Sequence, residues 1–281
     1  MTSPTPTPTP PSTPTPTLAL LGVGKLGEAL LSGLLRSGRP VGSLLAAERY
    51  PERAKEIAER YGVATPTPEQ ATAQADVVML AVKPQDMRTL LGEVAGHLRP
   101  GTLVVSMAAG ITTALIEELL PAGTAVVRVM TNTPVFVDEA MSALSAGSHA
   151  GADHLQLVED LLRPVGKVVR VPESQQDAVT ALSGSGPAYF FFLVEAMIDA
   201  GILLGLPRAV AAELIVQTAV GSARMLRESG EHPVLLREAV TSPGGTTISA
   251  IRTMEDHGVR SAMLAAIEAA RDRSRELAAD A

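Results

Sequence analysis

The feature that most limits the fold of this chain is a glycine-spaced turn set between a short apolar run and an amphipathic segment. Leu18–Leu21, LALL, has no polar residue and reads as a strand buried on both faces. Gly22-Val23-Gly24-Lys25-Leu26-Gly27 follows as GxGxxG. Leu26, Leu30 and Leu34 then recur on one helical face, and Gly38 supplies a stop. The glycines have separate tasks: Gly22 permits the tight turn, Gly24 lets backbone approach a pyrophosphate, and Gly27 lets the helix lie close to the strand. The helix start offers free N–H groups and the positive end of its dipole to phosphate. GxGxxG alone is common. Directly after a strand and at the head of a helix, it reads as a dinucleotide-binding turn.

The alternation continues through the first half. Ser43–Ala47, Asp76–Val82, Thr102–Met107 and Ala125–Met130 read as strands, and Pro51–Tyr61 and Thr112–Leu120 as helices. Strands alternating with helices predict a parallel, doubly wound α/β sheet. Ligands sit at the carboxyl ends of such strands. That puts Gly22–Gly27, Ala81–Pro84, Met107–Gly110 and Met130–Pro134 on one rim. The second strand ends at Glu48-Arg49, with Arg53 a turn later. An acidic residue here bonds ribose hydroxyls and favours NAD, whereas a basic one holds the 2′-phosphate of NADP. Both are present, so these residues leave the cofactor open.

Composition narrows the chemistry. The 281 residues suit one large domain or two ordinary ones. Hydrophobic residues make up 46% and aromatics 2%, so the core must be aliphatic. A formal charge of −7 without basic clusters argues against nucleic acid. The chain has no Cys, which removes disulfides, a thiolate nucleophile and Cys-ligated metal. His97, His149, His154, His232 and His257 form no HExxH-type pattern, so they read as surface or loop residues and no metal site is expected. Residues 1–17, MTSPTPTPTPPSTPTPT, lack the basic start and apolar stretch of a signal peptide. They read as an extended, disordered tail, with a Pro-rich recognition ligand as the other reading.

Beyond about residue 172 strand signals stop and the chain reads as helix and loop. The longest apolar run, Tyr189–Leu206, is interrupted by Glu195 and Asp199, one helical turn apart. Two carboxylates on one face make a membrane span costly, and a helix buried at a domain or subunit interface fits better. No hydrolase motif accompanies that carboxylate pair. Two small-residue loops precede helices: Ala181–Ala188, ALSGSGPA, and Thr241–Thr247, TSPGGTT. Either can be an anion site built from backbone N–H groups or simply an N-cap and tight turn.

LSGSGPA at Leu182–Ala188 and TSPGGTT together resemble the signature of the pyrroline-5-carboxylate reductase family. AVKP at Ala81–Pro84, AAGIT at Ala108–Thr112 and RVMTNTP at Arg128–Pro134 resemble it in the same order. The resemblance runs from Leu18 to Leu277. The glycine-serine loops are highly specific, whereas GVGKLG is shared with many dehydrogenases. Many members have Pro where Thr131 stands.

The resemblance implies a tail at 1–17, a Rossmann domain at 18–171 and an all-helical substrate-binding and dimerisation domain at 172–281. It implies reduction of 1-pyrroline-5-carboxylate to L-proline in the cytoplasm by a homodimer or a larger ring of dimers. Cofactor contacts would fall on Leu21, and phosphate contacts on Gly22, Val23, Gly24, Lys25 and Leu26. Arg49 stands where members hold the 2′-phosphate, which favours NADPH over the alternative, NADH. Ala81, Val82, Lys83 and Pro84 would line the ribose and nicotinamide end beside Met107, Ala108 and Ala109. Ser242, Gly244, Gly245 and Thr246 would hold the substrate carboxylate, Thr247 would bond the ring nitrogen as the catalytic hydroxyl, and Glu173 matches another substrate-side position. A protonated imine is already electrophilic, so positioning suffices and no strong general acid is needed. Two rivals stand beside this. A β-hydroxyacid dehydrogenase needs a Lys from the helical domain, and no Lys lies beyond Lys167. A non-catalytic nucleotide sensor with a relic fold would be supported by loss of the glycines or Thr247, and both are intact.

Overall fold

The computed structural model describes residues 15–279. The tail expected at 1–17 therefore lies almost wholly outside the described residues. Its last members are anchored: the Thr17 carbonyl accepts the N–H groups of Asp76 and Val77, the Asp76 carboxylate accepts the Thr17 N–H at 2.7 Å, and Arg39 donates to the Pro16 carbonyl.

The chain divides into two compact units after Gln176. The first runs β1 (Leu18–Leu21), α1 (Lys25–Arg36), β2 (Leu44–Ala47), α2 (Pro51–Tyr61), α3 (Pro68–Gln74), β3 (Val77–Leu80), α4 (Met87–Val94), β4 (Leu103–Ser106), α5 (Thr113–Leu119), β5 (Ala125–Met130), β6 (Ala140–Ala146), α6 (Ala152–Leu162) and β7 (Gly166–Arg170). The second holds α7 (Gln176–Val179), which starts at the boundary, then α8 (Gly186–Leu203), α9 (Arg208–Ser229), α10 (Pro233–Ala239), α11 (Thr246–Asp256) and α12 (Val259–Ala279).

The sheet order is β2-β1-β3-β4-β5-β6-β7. The five strands expected from sequence are parallel neighbours. Two further strands extend the sheet, and it is mixed: β6 pairs antiparallel with β5. The reason is chain length. Residues 131–139 between β5 and β6 hold only a short 3₁₀ turn, and a parallel return needs a crossover of roughly a dozen residues or more. The α6 crossover then restores parallel pairing between β6 and β7.

Strand alternation sorts the core into two layers. Leu18, Leu20, Val77, Met79, Leu103, Val105 and Val127 pack on the α1 and α6 side. Ala19, Leu21, Val78, Leu80, Val104 and Val126 pack on the α3, α4 and α5 side. With both faces covered, β1 through β4 are buried at every position.

The division falls somewhat beyond the boundary expected after Val171, because side chains tie the intervening residues to the first unit. Glu173 bonds Thr113 and Arg128, and the buried Gln176 amide donates to the Ala143 carbonyl at 3.2 Å and the Ser145 hydroxyl at 2.8 Å. In the second unit α8 lies along α9. A Cβ on Gly201 would stand 2.9 Å from the Ala211 Cβ, so glycine allows this approach. The Ser274 hydroxyl of α12 donates to Asp177 at 2.8 Å.

Candidate active site

The parallel strands β1, β3, β4 and β5 end side by side, so the four expected tips share one rim. The ladder continues past the strand ends: the Gly22 N–H donates to Ala47 at 2.9 Å, Ala81 to Leu21 at 2.9 Å and Met107 to Leu80 at 3.0 Å. Gly22 adopts φ +91°, and a Cβ there would meet Val82 at 2.8 Å and the Ala81 backbone at 3.1 Å. A Cβ on Gly27 would collide with the Gly22 carbonyl. Gly24 instead faces open space, with nothing within 4 Å of the point a Cβ would occupy. Gly24 is also the N-cap of α1, and no side chain caps that helix. The first-turn N–H groups are therefore left for a ligand. Two glycines that close the turn and one that leaves its outer face open fit a dinucleotide pyrophosphate.

A cleft of about 1040 Å³ opens from this turn. Leu21, Gly22, Gly24, Arg49, Ala81, Val82 and Lys83 line it, together with Glu48 and Tyr50 at the tip of β2. Of the two basic residues at that tip, only Arg49 is uncommitted. Its exposed guanidinium makes no hydrogen bond or ion pair among the described residues. Arg53 is held by Glu28 and, at 2.6 Å, by Glu56. Burial works against the Glu28 charge, but hydrogen bonds from Tyr61, Arg53 and Arg60 outweigh it and hold the carboxyl below its ordinary range. This cluster ties α1 to α2. The Val23 N–H is already taken by the Glu48 carboxylate at 2.9 Å. Met107 and Ala108 are buried at the β4 tip, whereas Ala109 is exposed.

Arg128, the first residue of the RVMTNTP run, has a role that the run itself does not reveal. It is 4% exposed in β5, opposite Ser106 in register. Its guanidinium meets Glu173 at 3.2 Å, and Glu173 also accepts the Thr113 N–H at 2.8 Å and hydroxyl at 2.5 Å. Glu173 thus joins Thr113 to Arg128 within the first unit, while the buried Arg128 Nη2 makes no hydrogen bond among the described residues. The available signal was a lone Arg in the apolar run AVVRVM.

In the second unit, Gly244 adopts φ +68° and the Gly245 N–H closes the loop on the Ser242 carbonyl at 3.1 Å. Gly245 is the N-cap of α11, and no side chain caps the helix. The Thr247 hydroxyl lies in the first turn and makes no hydrogen bond among the described residues. Of the two readings open for TSPGGTT, side-chain capping is absent, and Thr246 and Thr247 stand at an uncapped helix N-terminus. The other loop is a π turn, Thr180–Gly184, with Ser185 as an N-cap that likewise makes no capping bond. The Tyr189 hydroxyl donates to the Ala181 carbonyl at 3.0 Å and steadies it.

Two helical stretches, Glu173–Leu203, which ends in α8, and α9, are long and apolar enough to cross a membrane by length and composition. Both carry charge, and the Arg208 guanidinium meets Asp199 at 3.3 Å. Among the described residues no group of three or more His, Cys, Asp or Glu could hold a metal.

Comparison with known proteins finds family matches in both units. Residues 173–277 match the family described as pyrroline-5-carboxylate reductase dimerisation, and residues 17–110 match the one described as NADP oxidoreductase coenzyme F420-dependent. Pyrroline-5-carboxylate reductase of Corynebacterium melassecola is 47% identical over 264 residues, covering 92% of this chain and 98% of that protein. A solved structure of a pyrroline-5-carboxylate reductase from Coxiella burnetii superposes with TM-score 0.89 at 37% identity, over 94% of this chain and 98% of the other. The Plasmodium falciparum pyrroline carboxylate reductase with NADP bound superposes with TM-score 0.84 at 26% identity, over 94% and 98%.

Proposed function

This chain belongs to the pyrroline-5-carboxylate reductase family, and from that premise we propose how its residues divide the reaction. The protein is a nicotinamide-dependent oxidoreductase that reduces 1-pyrroline-5-carboxylate to L-proline, the last step of proline biosynthesis. When bound, the reduced nicotinamide supplies the hydride that adds to the imine carbon.

The observation that carries the assignment of roles is the pair of uncapped helix starts, one behind GxGxxG in the first unit and one behind TSPGGTT in the second. The α1 start, with Gly22, Gly24, Lys25 and Leu26, binds the pyrophosphate, and Val23 shapes the turn that Leu21 leads into. Ala81, Val82, Lys83 and Pro84, with Met107, Ala108 and Ala109, line the nicotinamide end. The α11 start receives the substrate carboxylate on the backbone of Gly244, Gly245 and Thr246, with Ser242 closing the loop. The Thr247 hydroxyl accepts the N–H of the protonated imine, fixes the ring against rotation and keeps the reacting carbon in line for hydride. Protonation raises the carbon's electrophilicity before transfer, so the chain supplies orientation rather than a strong acid. Glu173 acts in support, holding Thr113 and Arg128 at the edge of the first unit.

NADPH is the preferred cofactor in this reading, because Arg49 is a free guanidinium at the β2 tip and suits a 2′-phosphate through charge-assisted bonds. The chain forms homo-oligomers, and we propose the dimer as the building block of any larger assembly. The tail at 1–17, the dinucleotide-binding domain at 18–171 and the helical domain at 172–281 remain our functional division. We place the enzyme in the cytoplasm, where NADPH is available and a cysteine-free, acidic chain has no need of oxidising surroundings.

The test is a cofactor-oxidation assay with pyrroline-5-carboxylate set against a panel of 3-hydroxy acids. Turnover with the cyclic imine and formation of proline is expected. Activity confined to the hydroxy acids would overturn the assignment.

A further inference from the structure

An acidic residue at the end of the second strand of a dinucleotide-binding sheet commonly accepts the ribose hydroxyls of the cofactor. Glu48 occupies that place, but its carboxylate is already engaged. Oε2 accepts the Val23 N–H at 2.9 Å, and Oε1 accepts the N–H groups of Arg49 at 2.9 Å and Tyr50 at 3.4 Å. The side chain therefore joins the middle of the glycine turn to the backbone of the β2 tip. Val23 is held through its other backbone group as well, since its carbonyl accepts Arg53 Nε at 3.4 Å, and its side chain is fully buried.

We infer that Glu48 is a positioning residue. It locks the glycine turn and the Arg49 segment into one rigid edge of the cofactor cleft, and it does not read the adenosine ribose. Two consequences follow from the geometry. With the Val23 N–H spent on Glu48, the phosphates are left to the N–H groups of the α1 first turn. Backbone N–H dipoles on both oxygens weaken the field of the carboxylate, so it repels a 2′-phosphate at Arg49 less than a free carboxylate would. The inference builds on the Arg49 reading above, yet the two fail separately.

The experiment is an equilibrium titration of NADPH and NADH by nicotinamide fluorescence, without substrate, on full-length Glu48→Ala and Glu48→Gln. Melting temperature and hydrogen exchange of peptides covering Val23 and Arg49–Tyr50 are recorded alongside. Both cofactors share the pyrophosphate, so a loosened turn weakens both. Glu48→Ala should lower each affinity about ten-fold, with NADPH losing as much as NADH or more because the Arg49 segment is freed as well. Glu48→Gln, which keeps one carbonyl oxygen, should lose less. Exchange should quicken in both peptides. Three outcomes overturn the inference: a much larger loss for NADH than NADPH, which marks a ribose contact; tighter NADPH binding, which marks a repelling charge; or unchanged affinities with only a lower melting temperature, which marks a purely structural role. Arg49→Ala is the separate control. Equal losses for both cofactors there would remove the phosphate-reading role of Arg49 and leave the Glu48 result standing.

Discussion

Leu18, Leu20 and Val77 in the first unit are fully buried by the chain's own helices, whereas Phe190, Phe191 and Phe192 of α8 in the second stand 50%, 67% and 70% exposed. In the first unit a sheet with helices on both faces covers every residue of β1 through β4. In the second, α8 has no buried residue at all, and Leu203, Leu214, Val220 and Leu264 are exposed on three different helices. A single copy of the helical unit cannot cover its apolar residues, and contiguous exposed apolar surface marks a protein interface. The segment that matches the dimerisation family is this one. The contrast teaches that the first unit builds its core from its own chain, whereas the second leaves apolar helix surface for another copy to cover.

The harshest way to break that contrast is to charge the uncovered face. Phe191→Glu with Phe192→Glu should leave the first unit folded and dissociate the oligomer. An unpaired buried charge costs about 3–5 kcal/mol, roughly a hundred- to a thousand-fold or more in association. Light scattering should report a monomer, and turnover should vanish while NADPH still binds. An active assembly of unchanged size would show that this face meets no partner.

The next largest effect belongs to the cofactor edge. Arg49→Ala removes charge-assisted bonds worth about 1.5–3 kcal/mol, or roughly ten- to a hundred-fold in NADPH affinity. NADH affinity should barely change, and titration of both cofactors measures the difference.

Gly27→Ala probes the rigidity of the first unit. The new methyl meets the Gly22 carbonyl, so the helix must move off the strand at about 1–3 kcal/mol. Denaturant unfolding should show that loss, together with weaker binding of both cofactors.

The smallest expected effect is a pH dependence. Bonds from Tyr61 and the two arginines overcome burial and depress the Glu28 carboxyl below its ordinary value. A depressed folded value means stability that is fully present above the ordinary glutamate range and lost as pH falls below it. Glu28→Gln should flatten that part of the acid limb in thermal melts taken across mildly acidic pH. An unchanged acid limb would remove the cluster from the stability of the α1–α2 contact.

The same contrast governs how much could be read from the residues alone. Runs such as LALL and DVVMLAV announce strands because burial on both faces removes polar residues from them. β6, AMSALSA, gave no such signal: it is small and serine-rich, and its buried Ser142 and Ser145 hydroxyls bond the Thr131 hydroxyl and the Val171 carbonyl, each at 2.9 Å. β7, GKVVR, is short and half exposed. At the site, the glycine turn and TSPGGTT were legible because their chemistry is local. The Arg128–Glu173–Thr113 network was not, since it joins residues 45 and 60 positions apart. The commitment of Glu48 to the glycine turn is hidden for the same reason, and from sequence its carboxylate reads as a candidate ribose contact.

The account rests most heavily on substrate chemistry residing in the second unit while cofactor recognition resides in the first. Measuring kcat and NADPH affinity together on Thr247→Ala tests this directly, with melting temperature and Thr247→Ser as controls. Loss of the hydroxyl lets the substrate ring turn away from the hydride axis, and misplacement by about 1 Å costs on the order of a hundred-fold in rate. The account predicts that kcat falls by about that factor, that NADPH affinity and melting temperature hold, and that Thr247→Ser retains most activity. A normal kcat with a lowered melting temperature would contradict it and leave Thr247 as a residue that only steadies the start of α11.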